Sequence, residues 1–216
     1  MRKLYLVAAL LMATAFGAFS QKIIDKKIEV NGQKAKMKLS FADDIKVEAW
    51  NNDYIGFHVS ANIDTNKYNE YYGLKIDNSS GKIEIVEDVD FEAIKEKVGS
   101  KNLCNFEMDI NYSLKVPRNL NFEIETISGE VELIGCEGEM DINSISGFID
   151  YSIPEKLEAK IDLSTVTGDV YSNINFDNPV SRDITWVGTK RKLSLNGGTR
   201  DVELKTVSGD IFLRKL

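Results

Sequence analysis

A four-residue motif that ends in glycine recurs through the second half of this 216-residue chain. Four clear copies lead into alternating apolar and polar residues: Thr126-Ile-Ser-Gly129, Ser144-Ile-Ser-Gly147, Thr165-Val-Thr-Gly168 and Thr206-Val-Ser-Gly209. A weaker copy, Thr185-Trp-Val-Gly188, lies in the long interval before the last one, and with it the glycine spacings are 18, 21, 20 and 21 residues. A sustained period of this length is typical of repeat folds, in which one unit cannot bury its apolar face alone.

The residues that follow each glycine alternate with period two, which predicts half-buried β-strands. The apolar residue inside the motif has the parity of the apolar residues that follow it, so Ile127, Ile145 and Val207 are expected to face the core. The opposite parity should form columns on the outer face when the copies stack. One expected column contains the hydroxyl side chains of Ser128, Ser146, Thr167 and Ser208.

We predict an all-β chain that winds as a single-stranded β-solenoid (β-helix), right- or left-handed, with coils of about 20 residues. The motif glycine suits a bend where a side chain would crowd neighbouring coils. Asn-Gly hairpin turns are almost absent, with Asn31-Gly32 and Asn196-Gly197-Gly198 as exceptions. The alternative is an antiparallel β-sandwich. We expect residues 21–111 to form irregular coils and an N-terminal cap, with a short helix or insertion near 90–99, and residues 112–216 to form the regular repeats.

The first twenty residues have the layout of a secretory signal peptide. Arg2 and Lys3 precede an apolar stretch from Leu4 to Phe16, and small residues follow before Gln21. The apolar stretch is shorter than a membrane span requires, and charged residues interrupt every later apolar run. We therefore predict export, with a mature chain that has no transmembrane segment and is periplasmic, outer-membrane-associated or secreted.

Charge and motif content narrow the classes of function. Removal of residues 1–20 takes away Arg2 and Lys3 and brings the formal net charge from −7 to −9, so nucleic acid is not an expected partner. The single histidine, His58, lies on the polar parity of its strand and is expected to be an ordinary surface residue. No phosphate-binding loop, HExxH motif or nucleophile elbow is present. We predict no enzyme activity and no cofactor, with Ca²⁺ as the one cation worth considering.

The two cysteines, Cys104 and Cys136, allow two interpretations. A disulfide between them would be compatible with an oxidising compartment. Two buried thiols are the other interpretation, because Cys104 shares parity with Phe106 and Met108. Neither interpretation suggests a metal site, since no CxxC motif and no histidine lies nearby.

Three segments carry a family resemblance: Asp44-Ile-Lys-Val-Glu-Ala-Trp50, Tyr112-Ser-Leu-Lys-Val-Pro117 and the repeated Thr-Val-Ser-Gly-Asp-Ile type motif. From about residue 40 to its end, the chain resembles the bacterial putative adhesin family, long described as a domain of unknown function. The resemblance implies a β-solenoid on exported or envelope proteins, an adhesive role and no catalytic residues. Ser144 and Thr185-Trp-Val depart from the usual repeat.

Two sets of outward residues are candidates for binding. The acidic set is Glu130, Asp169 and Asp210, and the aromatic set is Phe148, Tyr171 and Phe212. Carboxylates in a row suit a cation or paired acid–base chemistry on a glycan, although outward acids also keep a sheet soluble. Exposed aromatic rings suit a sugar or a partner's surface. The predicted function is adhesin-like binding of an unidentified glycan, protein or envelope component. The alternatives are a carboxylate-dependent polysaccharide-active enzyme and a purely structural envelope protein.

Overall fold

The computed structural model describes residues 20–79, 81–99, 106–177, 183–184 and 188–216. Most of the predicted signal peptide, Cys104 and positions 185–187 of the weak motif copy lie outside these ranges. The strands, in chain order, are β1 (Lys22–Glu29), β2 (Lys34–Lys38), β3 (Asp44–Trp50), β4 (Tyr54–Ile63), β5 (Tyr72–Ser79), β6 (Lys82–Val89), β7 (Met108–Pro117), β8 (Phe122–Thr126), β9 (Glu130–Ile134), β10 (Met140–Ser146), β11 (Ile149–Ile153), β12 (Ala159–Thr167), β13 (Val170–Ser172), β14 (Asp183–Ile184), β15 (Thr189–Leu195), β16 (Arg200–Ser208) and β17 (Ile211–Lys215). Helix α1 spans Phe91–Val98, and a 3₁₀ turn spans Asn69–Tyr71. Neither of these described helical segments is long and apolar enough to cross a bilayer.

The strands form two sheets whose orders match coil by coil. Sheet A has the order β1-β4-β7-β3-β9-β11-β17-β13, and sheet B has the order β14-β15-β12-β16-β10-β8-β2-β6-β5. Each coil contributes one strand to sheet B and the next to sheet A, so the stack from one end is β6/β7, β2/β3, β8/β9, β10/β11, β16/β17 and β12/β13. Neighbouring coils are parallel throughout this series. The fold is therefore solenoid-like, and the central pairing differs from an antiparallel sandwich.

The chain does not wind through these coils in sequence order, which corrects the prediction of a simple sequential solenoid. The last coil, β16/β17, lies between β10/β11 and β12/β13, and the early coil β2/β3 lies between β6/β7 and β8/β9. Antiparallel strands flank the parallel centre, with β1 and β4 in sheet A and with β5 and β15 in sheet B. The result is two mixed sheets around one core.

Gly188 belongs to this antiparallel flank, so the prediction of a fifth parallel coil beginning there is wrong. It precedes β15, which runs antiparallel to β12 with Thr189 opposite Thr165. The interval of 41 residues between Gly168 and Gly209 therefore contains a returning strand. Because β15 still alternates and buries Leu193 and Leu195, period two could not reveal its direction.

The other four motif glycines stack at the corner where the chain passes from sheet B to sheet A. A Cβ on Gly147 would lie 2.7 Å from the carbonyl oxygen of Gly129, and a Cβ on Gly209 would lie 2.1 Å from that of Gly147. A Cβ on Gly168 would lie 2.1 Å from the carbonyl oxygen of Gly209. The backbones therefore approach too closely for any side chain, which explains why glycine recurs.

The corner also reverses the predicted orientation of the motif residues. Thr126, Ser144, Thr165 and Thr206 are the buried members, whereas Ile127, Ile145, Val166 and Val207 are 42–53 % exposed. The expectation that Ile127, Ile145 and Val207 face the core is wrong because the alternation does not continue across the corner. The strand before the corner places Phe122, Ile124 and Thr126 inward, and the strand after it restarts with Val131 and Leu133 inward.

Cys136 is buried beside this core as a free thiol, and its pairing partner in the disulfide hypothesis, Cys104, is not among the described residues. Burial raises the pKa of the Cys136 thiol to about 12. A thiol with such a pKa remains protonated and unreactive at neutral pH.

Candidate binding surface

The candidate acidic residues lie in one row on the outer face of sheet A. The strand register aligns Asp44, Glu130, Phe148, Asp210 and Asp169 across successive coils, in that order. Main-chain hydrogen bonds join the neighbouring strands here, since the Ile149 N–H donates to Asp210 O and the Ile211 N–H donates to Asp169 O. Glu130 is therefore separated from the two aspartates by Phe148. The pair that lies on adjacent strands is Asp210 and Asp169.

The candidate aromatic residues form one cluster on the same face. Tyr171 and Phe212 stack with their ring centroids 5.3 Å apart and their planes at 14°. Phe148 packs edge-on against Phe212 at 6.0 Å. Tyr171 is 49 % exposed, whereas Phe148 and Phe212 are partly covered. We refer to Phe148, Tyr171 and Phe212 as the aromatic cluster.

Arg214 and Asp150 form an ion pair next to the aromatic cluster. The Arg214 guanidinium lies over the Phe212 ring at 5.2 Å, and its Nε is 2.7 Å from Asp150 Oδ2. Burial raises the pKa of Asp150, although the neighbouring Arg214 opposes this shift. Beyond Asp150, the face has an open depression of about 320 Å³ that includes Lys46 and Glu132. The Lys46 ammonium is 2.9 Å from Glu132, so these two charges are paired.

Asp169 and Asp210 differ from these paired carboxylates. In the described part of the chain, neither has a salt bridge to a lysine or arginine. The two residues contact each other, because the Asp169 N–H donates to Asp210 Oδ1 at 2.8 Å. Among the described residues, the end of sheet A near β13 therefore has two carboxylates without a salt-bridge partner beside an exposed aromatic ring. In the described ranges, no three His, Cys, Asp or Glu side chains converge in a way that could hold a metal ion.

A second acidic row, which the sequence interpretation missed, lies on the outer face of sheet B. Glu123, Asp141, Glu203 and Asp162 align on successive coils. Cations neutralise much of this row: Lys36 is 2.6 Å from Glu123, and Lys205 is 2.6 Å from Glu203. The period-two pattern of the strands before each motif could have revealed it. Because of this pairing, the row is better explained as a soluble outer face than as a binding site.

One half-buried carboxylate also lies outside the predicted set. Glu87 accepts hydrogen bonds from Tyr112 Oη at 2.6 Å and from the Phe41 N–H at 2.6 Å, and Tyr72 Oη is 2.7 Å from Tyr112 Oη. Burial raises the pKa of Glu87. Tyr72 and Tyr112 are each only 2 % exposed and hydrogen-bonded to each other, and we interpret this cluster as core structure.

The remaining candidate, His58, is half exposed on β4, and its Nδ1 is 2.7 Å from Asp25 Oδ1. Asp25 lies directly opposite it on β1. His58 and Asp25 are thus a surface pair between neighbouring strands, at the opposite end of sheet A from the aromatic cluster.

Comparisons with known proteins identify the fold. The model of the Toastrack family DUF4097 matches residues 36–214, which span β2 to β17. A solved structure named as a putative cell adhesion protein, from Clostridium sporogenes, is similar with a TM-score of 0.52 and 16 % identity, over 91 % of this chain and 100 % of that one. Two further structures match more weakly: a putative adhesin from Bacteroides fragilis (TM-score 0.23, 10 % identity, 91 % and 98 % covered) and a putative lipid binding protein from Parabacteroides distasonis (0.25, 9 %, 70 % and 70 %). No curated protein matches the sequence significantly.

Proposed function

Because this chain belongs to the Toastrack family DUF4097, we propose that it is an exported, adhesin-like binding protein of the cell envelope that acts without catalysis. The layout of residues 1–20 supports export, and the name of the Clostridium sporogenes structure supports an adhesive role. The partner is a glycan, a protein or another envelope component.

The observation that carries this proposal is the aromatic cluster on the outer face of sheet A, beside the carboxylates of Asp169 and Asp210, which form no salt bridge in the described part of the chain. Exposed aromatic side chains contribute large apolar contact areas at interfaces, and unpaired charges at their rim select the partner by sign. The other outer face is less suited to this role, because lysines pair with its carboxylates. The geometry also gives Asp210 a structural task, since its carboxylate accepts the Asp169 N–H.

The test compares residues 21–216 with a double variant, Tyr171→Ser and Phe212→Ser, on a glycan array and an array of immobilised cationic and anionic peptides. We expect the unmodified protein to bind at least one array class and the variant to lose most of that signal. The matched control is Ile127→Ser with Val207→Ser, which also removes two apolar side chains that are nearly half exposed, but at the corner between the sheets.

Two outcomes would contradict the proposal. If the control variant loses binding as fully as the cluster variant, the surface on sheet A is not the binding site. If instead the protein cleaves an arrayed glycan, and Asp169→Asn with Asp210→Asn abolishes that turnover, the carboxylates have a catalytic role. Circular dichroism of each variant establishes that folding is retained.

A further inference from the structure

In the part of the chain that the structure describes, β13 is an open edge of sheet A. Among the described strands it pairs only with β17. The Ile211 N–H donates to Asp169 O at 2.9 Å and the Asn173 N–H donates to Leu213 O at 3.3 Å, which orients both main-chain groups of Tyr171 towards β17. In a parallel ladder the groups of alternate residues point to opposite sides. The N–H and C=O groups of Val170 and Ser172 therefore point away from the sheet, and no other described strand receives them.

This edge contrasts with the other strand of its coil and with the far edge of its sheet. In sheet B, β12 is covered by β15 over Ala159 to Thr165. At the far edge of sheet A, Lys26 on β1 has the inward parity of Ile24 and Ile28, and Lys22 Nζ donates to Tyr72 O on sheet B at 2.6 Å. Lysines on the inward face of an edge strand oppose its pairing with a strand of another molecule, because that pairing would bury their charge. β13 has no such lysine, so within the described ranges sheet A has one edge protected by lysines and one open edge.

Tyr171 gives the open edge a specific side-chain preference. Its ring stacks on the ring of Phe212, so each ring covers the face of the other that points towards it. Of the described residues, none is stacked on the other face of Tyr171, which points beyond the edge and could receive another planar group. A strand added at about 4.8 Å would place its own side chain against that face.

Charge complementarity restricts the occupant further. Asp169 is on the same outward face as Tyr171, two residues before it, and it is exposed with no cationic partner among the described residues. Asp210 lies beside it on the neighbouring coil. An added strand with a lysine or arginine two residues from an aromatic residue would match both features.

We propose that the open edge of β13 accepts an extended segment of a partner protein as an additional strand of sheet A, and that this segment carries alternating basic and aromatic residues on its outward face. The inference rests on the proposed binding function and specifies its partner as a polypeptide. The main chain of Val170 and Ser172 supplies affinity, while Tyr171 and Asp169 select the side chains.

The test uses the peptide Thr-Lys-Val-Tyr-Val-Lys-Thr, labelled for fluorescence anisotropy, with residues 21–216. NMR amide exchange supplies the geometric readout: saturating peptide should slow exchange at Val170 and Ser172 and leave Tyr171 unchanged, because its N–H already faces β17. In an antiparallel addition that places the peptide tyrosine opposite Tyr171, the two valines lie opposite Val170 and Ser172, so a peptide in which both valines are proline cannot donate these main-chain hydrogen bonds and should not bind.

A matched pair of variants separates the main-chain edge from the side chain. Ser172→Pro removes an N–H that points away from β17 and should weaken peptide binding by about tenfold or more, as loss of main-chain hydrogen bonds predicts. Ser172→Ala retains the N–H and should bind within about twofold of the unmodified protein. Asp169→Lys should weaken this peptide and favour its counterpart with glutamates in place of lysines. Thermal melts of each variant provide the folding control.

The outcomes also separate this inference from the proposed function. If the aromatic-cluster variant loses its array signal but the peptide leaves Val170 and Ser172 exchange unchanged, the surface binds its partner by another mode and the strand-addition proposal is wrong. If Ser172→Pro retains full peptide affinity while folded, it is also wrong. Self-association of the protein that is blocked by Ser172→Pro would identify a second copy as the occupant and contradict a foreign partner.

Discussion

Gly209 shows how one residue restricts the geometry of the whole corner. It lies between Gly147 and Gly168 in space, with φ at +152°, and a Cβ there would be 2.1 Å from the Gly147 carbonyl oxygen. The contact is with backbone, which belongs to a neighbouring coil and cannot rotate away. The glycine is therefore required both by its dihedral angle and by the approach of the next coil.

We predict that Gly209→Ala destabilises the protein by about 3 kcal/mol or more, because it adds a backbone clash to dihedral strain. Gly197→Ala is the matched control, since Gly197 also has positive φ, at +88°, but nothing lies within 4 Å of the position that a Cβ would occupy there. It should cost only about 1–2 kcal/mol, the strain of left-handed backbone alone. Urea unfolding followed by circular dichroism measures both values, and equal losses would show that packing between the coils adds nothing.

The parity of individual residues explains what the sequence could predict about the binding surface. Asp169, Tyr171 and Phe212 follow their motif glycines, in strands whose alternation is regular, so their outward orientation could be predicted. Ile127 and Val207 precede the glycine, and their orientation depends on how the chain turns between two sheets. Period two contains no information on that turn, and the prediction for these residues was wrong for this reason.

The two edge strands of sheet A, β1 and β13, differ in their charged residues. β1 carries Lys26 on the face that Ile24 and Ile28 turn towards the core, whereas Lys27 is on the outer face, 2.7 Å from Glu29 and 4.2 Å from the Tyr54 ring centroid. The two lysines are adjacent and carry the same charge. Of the two, only Lys26 lies on the face where pairing of β1 with a strand of another molecule would bury its charge.

We predict that Lys26→Val promotes concentration-dependent self-association, because it extends the apolar face of β1 to an edge with unpaired main-chain groups. Lys27→Val removes an equal charge from the opposite face and should remain monomeric to the same extent as the unmodified protein. Sedimentation velocity of residues 21–216 over a range of concentrations distinguishes the two. Association of both variants to the same degree would mean that net charge, rather than the inward position of Lys26, keeps this edge free.

At the scale of the molecule, the order of the coils is the feature that sequence periodicity could not supply. The coils that contain Gly129, Gly147, Gly168 and Gly209 have almost the same motif, so each is compatible with any of the others as a neighbour. Their repetition predicts that they stack, and the stacked glycines agree with this. Placement of the last coil inside the stack depends on β15, which occupies the outer side of β12 and leaves β16 to pair with the inner side.

This order has a consequence for cooperativity. β16 pairs with both β10 and β12, and β17 pairs with both β11 and β13, so the C-terminal coil joins two parts of the stack. In a sequential solenoid, loss of the terminal coil would remove only nearest-neighbour contacts at one end. Here loss of the C-terminal coil removes an internal coil and separates its two neighbours. The buried side chains of Val202, Leu204, Ile211 and Leu213 are lost from the core with it.

We therefore predict that deletion of residues 200–216 abolishes the cooperative unfolding transition, while deletion of residues 20–30, which removes the edge strand β1, retains a transition at lower temperature. The two deletions differ in whether they remove an internal or an edge strand from sheet A. Thermal and urea unfolding, followed by far-ultraviolet circular dichroism, provide the measurement. A sharp transition in the C-terminal deletion would contradict this prediction, because it would require β10/β11 and β12/β13 to pair directly in the absence of β16 and β17. Cooperativity of the whole stack is thus the property that depends on where the last coil inserts.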